Sequence, residues 1–190
     1  MKCSQPIRRR DAASTKNAIL CAARTLFARD SYENVGIREI ASLAGADAAL
    51  VSRYFGSKEE LFAAVMNSGE RGVDVIGNEL EGLPERVGEL MFDPDDDGKP
   101  MEDILVMLHS GNSPIAGPIV RASIDDRFHE PFAVVIGGEH AKERSQLFGS
   151  ILLGMSISQH ISGKLTDDPE LREKMKQRFT EIIRLAVKPL

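Results

Sequence analysis

Gly36-Ile37-Arg38-Glu39-Ile40-Ala41-Ser42-Leu43-Ala44-Gly45-Ala46-Asp47-Ala48-Ala49-Leu50-Val51-Ser52-Arg53-Tyr54-Phe55-Gly56-Ser57-Lys58-Glu59-Glu60-Leu61 is the stretch that decides the fold. Ile37, Ile40, Ala41 and Ala44 recur at the spacing of one apolar helix face. Gly45 then offers the residue most tolerant of a left-handed stop. Asp47 fits the N-cap of a second helix, whose inner side is Leu50 or Val51, Tyr54 and Phe55. A helix, a short turn containing Gly and a second helix make the helix-turn-helix pattern. In that pattern the second helix lies in the major groove of DNA. Ser57-Lys58-Glu59-Glu60 fits the capping box S-x-x-E and starts a further helix at once.

Working outward, Ile19, Ala22, Ala23, Leu26 and Phe27 predict a first helix from about Ser14 to Arg29. Its apolar face and those of the next two helices make a small core, marginal alone, that leans on the C-terminal body. Residues 1–13 read as a mobile arm carrying Arg8, Arg9 and Arg10, either a solvated tail or a phosphate or minor-groove contact. The helix opened by Ser57 buries Leu61, Phe62, Val65 and Met66 and links the head, 14–56, to a body over 57–72. The body reads as all-helical to residue 190. Helices are predicted at Val73–Glu81, Glu85–Met91, Met101–His109, Ser113–Val135 with a kink near Pro118 or Pro131, Glu139–Ser162 and Pro169–Val187. No strand alternation of any length and no repeat is present, so the fold class is all-α.

Of the 190 residues, 42% are apolar and 28% charged, the balance of an ordinary globular protein. The net charge of −5 is unevenly spread. Residues 1–60 hold ten Lys/Arg against seven Asp/Glu, leaving −8 for the remainder. A phosphate backbone responds to the local field within about 10 Å, so a basic head on an acidic body suits DNA. Cys3 and Cys21 support neither a disulfide framework nor a zinc site, which fits a reducing cytoplasm. Met1–Arg10 lacks the apolar core of a secretory signal. The apolar run Leu147–Ile161 is too short and too polar for a membrane span.

Two constellations compete with a DNA reading. Asp93-Pro94-Asp95-Asp96-Asp97-Gly98 matches the first half of a calcium loop, but its twelfth position is Ile104, not the required Glu. Asp126-x-x-His129 has ligand-pair spacing but no second motif to complete a metal site. No phosphate loop, H-E-x-x-H or G-x-S-x-G is present, so no metal, cofactor or enzymatic activity is expected.

The helix over 145–162 is apolar on most sides, with Ser150, Gly154 and Ser158 every fourth residue. That pattern fits either a central core helix or one that packs on a symmetry mate. In the second case it pairs with the last helix, through Met175, Phe179 and Ile182, in a four-helix homodimer interface.

Three blocks then carry a family likeness: Ile19-Leu20-x-Ala22-Ala23-x-x-Leu26-Phe27-Ala28, Ile37-Arg38-Glu39-Ile40-Ala41-x-x-Ala44-Gly45, and Arg53 to Phe62. In this order and spacing, from Thr15 to Met66, the chain resembles the TetR family of one-component transcriptional regulators. The resemblance implies phosphate contacts at Tyr54 and Lys58. Lys58 sits at a helix N-terminus, where free N–H groups already favour an anion. It also implies a DNA-binding set completed by Arg38, Asp47, Ala48, Ala49, Ser52 and Arg53, with Arg53 able to fork onto guanine. Gly36 stands where the family favours Ser or Thr, Ser52 replaces a frequent Tyr, and Ala49 a frequent Gly. The reading face is therefore mostly small side chains, and readout draws on few groups and on DNA shape.

The expectation is a cytoplasmic, dimeric repressor that binds double-stranded operator DNA and is released by a small apolar effector. The effector lining is drawn from Met101, Leu105, Leu108, Phe128, Phe132, Phe148 and Met155. The alternative is a helical ligand-binding or interaction protein that does not bind DNA specifically.

Overall fold

The computed structural model describes residues 12–69, 72–92 and 99–189. The arginine arm and the acidic Asp93–Gly98 segment lie outside the described residues. Among the described residues every regular element is a helix: α1 (Ala12–Phe27), α2 (Ile37–Ala44), α3 (Ala48–Phe55), α4 (Lys58–Met66), α5 (Gly72–Ile76), α6 (Leu83–Phe92), α7 (Lys99–Ser110), α8 (Ala116–Ile124), α9 (Glu130–Ile136), α10 (Ala141–Ser162) and α11 (Pro169–Val187). None is long and apolar enough to cross a membrane.

Two apolar cores organise these helices. The first gathers Ile19, Ala23 and Phe27 of α1, Ile40 and Ala41 of α2, Val51 of α3 and Leu61, Phe62 and Val65 of α4. Phe62 meets Phe27 at 5.0 Å and Tyr32 at 5.3 Å, both edge to face, the geometry in which ring quadrupoles attract. The same core takes in Val106 of α7 and Ala116 and Val120 of α8. The head thus completes its core with side chains from the body, as its small size demands. The second core holds Leu83, Val87, Phe132, Phe148, Phe179 and Ile183 from α6 and α9 to α11.

Helix ends differ from the periodic reading where side chains capture main-chain carbonyls. The linking helix stops at Met66 rather than running to 72, because Arg127 donates to the carbonyls of Asn67 (2.8 Å) and Gly69 and turns the chain there. The helix expected over Val73–Glu81 ends at Ile76. Gly77 adopts φ +99°, and Arg86 collects the carbonyls of Ile76, Glu79 and Glu81 at 2.8, 2.5 and 2.6 Å. Over Ser113–Val135, Pro118 falls in the first turn of α8, where its missing N–H is harmless. The irregularity comes ahead of Pro131, as one π-helical turn at Asp125–His129 in which the Glu130 N–H donates to the Asp125 carbonyl. Pro131 has no N–H to give Arg127, and its ring crowds that carbonyl, so the turn widens.

Arg144 locks the far end of the body. Its guanidinium is buried and donates to the carbonyls of Gly137, Glu139 (3.1 Å) and Val187 (2.6 Å). It therefore ties the end of α9 and the start of α10 to the end of α11. Asp168 caps α11 by accepting from Glu170 (2.9 Å) and Leu171 (3.4 Å), with Pro169 in the first turn.

Candidate nucleic-acid interface

The turn between α2 and α3 forms as its residues dictate. Gly45 takes the left-handed conformation, φ 63° and ψ 39°, which a side chain disfavours. Asp47 accepts from the Ala49 N–H at 2.8 Å and fixes the first turn of α3. Its carboxylate thereby holds the start of α3.

With Val51 buried beneath it, α3 turns Ala49, Ser52 and Arg53 outward. Ala48 does not join them: with Leu50, Tyr54 and Phe55 it packs part-buried on the head core. Ala48 is the first residue of α3, and burial of Val51 rotates it toward that core. Arg38, in the first turn of α2, is exposed, and the N-cap ahead of it, Gly36, makes no side-chain cap bond.

Lys58 opens α4. Ser57 accepts from the Glu60 N–H at 3.1 Å, and the Glu60 carboxylate accepts from the Ser57 N–H at 2.8 Å, so the capping box is complete. The Lys58 ammonium lies 4.3 Å from the centre of the Tyr32 ring. Burial pushes its pKa below the usual lysine value, while Glu33 and Glu59 oppose that shift. An ammonium over a ring face is attracted by the ring quadrupole and held in one place. A second cation, Lys16 of α1, lies 5.4 Å from the Phe55 ring at the end of α3. Sequence reasoning missed Lys16, Tyr32 and Glu33. The one available signal for Lys16 was its place off the apolar face of α1.

The residues expected to line an effector site are only partly gathered. Phe128, Phe132 and Phe148 form one aromatic cluster, with centroids 4.7, 5.1 and 5.7 Å apart, and Met155 packs on the same core. Leu105 packs instead on the head core, Leu108 is exposed, and Met101 belongs to neither cluster. The cause is that α7 turns Val106 and Leu105 toward the head. The cluster itself is tight: a Cβ on Gly72 would stand 2.5 Å from the Phe128 ring, and one on Gly149 2.8 Å from it. A small hollow of about 20 Å³ lies elsewhere, between Phe92, Gln159 and Leu165 among others, and is water-sized.

Of the residues expected at a dimer interface, Ser150, Gly154, Ser158 and Ile182 are exposed. Met175 and Phe179 point into the body core, where Phe179 meets Phe92 at 5.7 Å. The surface of α10 and α11 nevertheless carries exposed Leu147, Ile161 (76%), Leu171 and Leu185 (74%). Among the described residues no cluster of three His, Cys, Asp or Glu side chains is placed to hold a metal ion. The half calcium loop lies outside the described residues, and Asp126-x-x-His129 falls on the π turn.

A capped second helix behind a glycine turn, on a small helical head fused to an all-helical body, is the helix-turn-helix architecture. Residues 19–65 match the model of the bacterial regulatory proteins, tetR family, which makes the head a TetR-type helix-turn-helix DNA-binding domain. Similar solved structures support the fold over nearly the whole chain. NalD, the secondary repressor of the MexAB-OprM multidrug efflux pump in Pseudomonas aeruginosa, is 18% identical with a TM-score of 0.68, covering 93% of this chain and 98% of that one. HlyIIR, a hemolysin II transcriptional regulator, is 18% identical with a TM-score of 0.61, covering 90% and 98%. A TetR-family regulator from Streptomyces coelicolor is 23% identical with a TM-score of 0.55, covering 96% and 99%. At such identities the likeness is one of fold. No curated protein matches the chain.

Proposed function

We propose that the protein is a cytoplasmic, homodimeric repressor that binds a near-palindromic operator and leaves it when a small apolar molecule enters the body. The observation that carries the DNA part is the outward face Ala49, Ser52 and Arg53 of α3, together with Arg38 in the first turn of α2, Lys58 at the start of α4 and Lys16 beside Phe55. In this reading Arg53 reads a base, and Lys58 and Tyr54 touch phosphates. The arm Arg8–Arg10 adds phosphate or minor-groove contacts.

The exposed apolar residues of α10 and α11 support a symmetric interface between two copies, which would set the spacing of the two recognition helices. Small Ser150, Gly154 and Ser158 let the paired helices approach closely. The aromatic cluster of Phe128, Phe132 and Phe148 is the body's best place for an apolar effector, which must open that cluster to enter. Its effect on DNA affinity is bounded by its differential affinity for the two states of the protein.

Selection of bound DNA fragments by the purified protein tests this reading. A recovered palindrome whose binding loses about one unit of salt slope in Lys58→Ala supports it. Recovery of no preferred sequence would favour the alternative, a helical binding protein without an operator. Repeating the binding with candidate metabolites tests the effector, and release by one of them is the expected result.

A further inference from the structure

We propose that Glu33 and Ser113 set the strength of the Lys58 phosphate contact: Ser113, on the body, holds the Glu33 carboxylate at the start of α8 and keeps it from competing with DNA for the Lys58 ammonium. This rests on the reading of Lys58 as a phosphate contact.

The geometry begins with Tyr32 and Glu33, neighbours in the loop between α1 and α2. The Tyr32 ring carries the Lys58 ammonium at 4.3 Å. Glu33, the next residue of the same loop, receives the Ser113 hydroxyl at 2.5 Å, and its charge and that of Lys58 act on each other. Ser113 is buried, and its oxygen also accepts the N–H groups of Ile115 (3.2 Å) and Ala116 (2.9 Å) at the head of α8. Both lone pairs of that hydroxyl are therefore occupied, and its one proton is committed to Glu33. A hydrogen bond to an ionised carboxylate is stronger than a neutral one, and the N-terminal dipole of α8 adds to it. The carboxylate is held below its usual pKa first by Ser113, and Lys58 acts on it in the same direction.

A DNA phosphate would share the Lys58 ammonium with the two carboxylates that act on it, Glu33 and Glu59, and Glu33 is the one bonded to Ser113. Eighty positions separate Glu33 from Ser113, so their bond joins head to body. With Ser113 in place one oxygen of the carboxylate is tied to the start of α8. A shift of the α8 start releases it toward Lys58, which weakens the contact without any change in the spacing of two heads. Glu33 is exposed, so the effect is modest and fades with salt.

The test uses the full-length protein and a mixed-sequence duplex of about 30 base pairs, since phosphate contacts need no operator. Fluorescence anisotropy at low and moderate salt reads the affinity, and circular dichroism confirms folding. Glu33→Gln keeps the hydrogen-bond acceptor and removes the charge; it should bind about two- to fourfold tighter at low salt. Ser113→Ala should bind weaker by a similar factor, Ser113→Thr should match the parent, and the double variant Glu33→Gln/Ser113→Ala should match Glu33→Gln. In a Lys58→Ala background the gain from Glu33→Gln should vanish. The inference is overturned if Ser113→Ala weakens binding equally with Gln at 33, since the loss is then only that of the α8 cap. It is also overturned if Glu33→Gln changes nothing, or helps as much without Lys58, while Lys58→Ala itself weakens binding. If Lys58→Ala leaves affinity and salt slope untouched, the phosphate reading of Lys58 fails and takes this inference with it.

Discussion

Replacing Arg144 by Met tests how the body is held together. Arg144 is 3% exposed, and its guanidinium donates to three main-chain carbonyls, all of them neutral acceptors. Methionine fills much of the same volume but leaves those carbonyls without their donor. Glu139 is exposed, so its carbonyl regains water; Gly137 is half-buried, and Val187 is buried. An orphaned buried acceptor costs about 1–3 kcal/mol. One full penalty and part of a second are offset by no longer desolvating a cation, leaving a loss of about 2–3 kcal/mol. Arg144→Lys should lose about 1 kcal/mol, since an ammonium reaches the Val187 carbonyl but lacks the planar fork that spans all three. Urea unfolding followed by circular dichroism reads both, with an unchanged slope and a lower midpoint. Hydrogen exchange should also quicken at Lys188, whose N–H bonds to the Leu185 carbonyl at the end of α11. Stability of Arg144→Met equal to or above that of the parent would refute the account, because the carbonyls would then be satisfied without the arginine.

Arg53→Ala should cost about 1–3 kcal/mol of binding to a selected operator while leaving affinity for random duplex nearly unchanged, as read by competition. If the proposed dimer forms through α10 and α11, Leu185→Glu combined with Ile161→Glu should leave a monomer in sedimentation velocity at micromolar protein; a dimer that survives both removes that face from the interface. Burial holds the His129 pKa below its usual value of 6.5, Lys142 adds to the shift, and Asp125 and Glu130 oppose it. The unfolded chain therefore binds the proton first as pH falls, so the contribution of His129 is present above about pH 6.5 and is lost as pH drops through the lowered folded value. His129→Gln should flatten the fall in stability on that acid side, and an unchanged pH profile of the melting midpoint would count against it.

Legibility in the sequence tracks the range of the interaction. The Asp47 cap, the Ser57–Glu60 box and the Gly45 turn each join residues within four positions, so their spacing alone specifies them. The apolar stripe of α1 and α2 is periodic and buries as read. The ends of α4 and α5 were not legible, because Arg127 and Arg86 reach back to carbonyls that no local pattern marks. Nor was the ring beneath Lys58, since Tyr32 is brought there only by packing against Phe27 and Phe62. Periodicity says that a side chain is buried but not against what. Leu105 and Phe128 look alike in sequence, yet one serves the head core and the other the body core. Met175 and Phe179 are apolar at interface spacing, but α6 already covers that face of α11 and leaves Leu171, Ile182 and Leu185 outside.

The sharing of one core across head and body limits how any signal can travel. Val106, Ala116 and Val120 lie in the same buried cluster as Phe27 and Phe62. Close-packed interiors shift between discrete arrangements rather than deforming smoothly, so α7 and α8 cannot move without moving the head or opening its core. Polar bonds flank that cluster. Asp103 of α7 pairs with Arg24 of α1 at 2.9 Å, and the same guanidinium donates to Ser68 at 2.7 Å just beyond α4. Burial pushes the Asp103 carboxyl up despite Arg24 and Arg127, so the charge is held in a poorly solvated place where displacing either arginine is costly. Arg127 belongs to the π turn that also carries Phe128. Opening the aromatic cluster therefore pulls on the residue that fixes the end of α4, and α4 begins with Lys58. On the proposed reading, an apolar molecule among Phe128, Phe132 and Phe148 would reach the proposed DNA face by a short route: one widened turn, one guanidinium and one helix of nine residues.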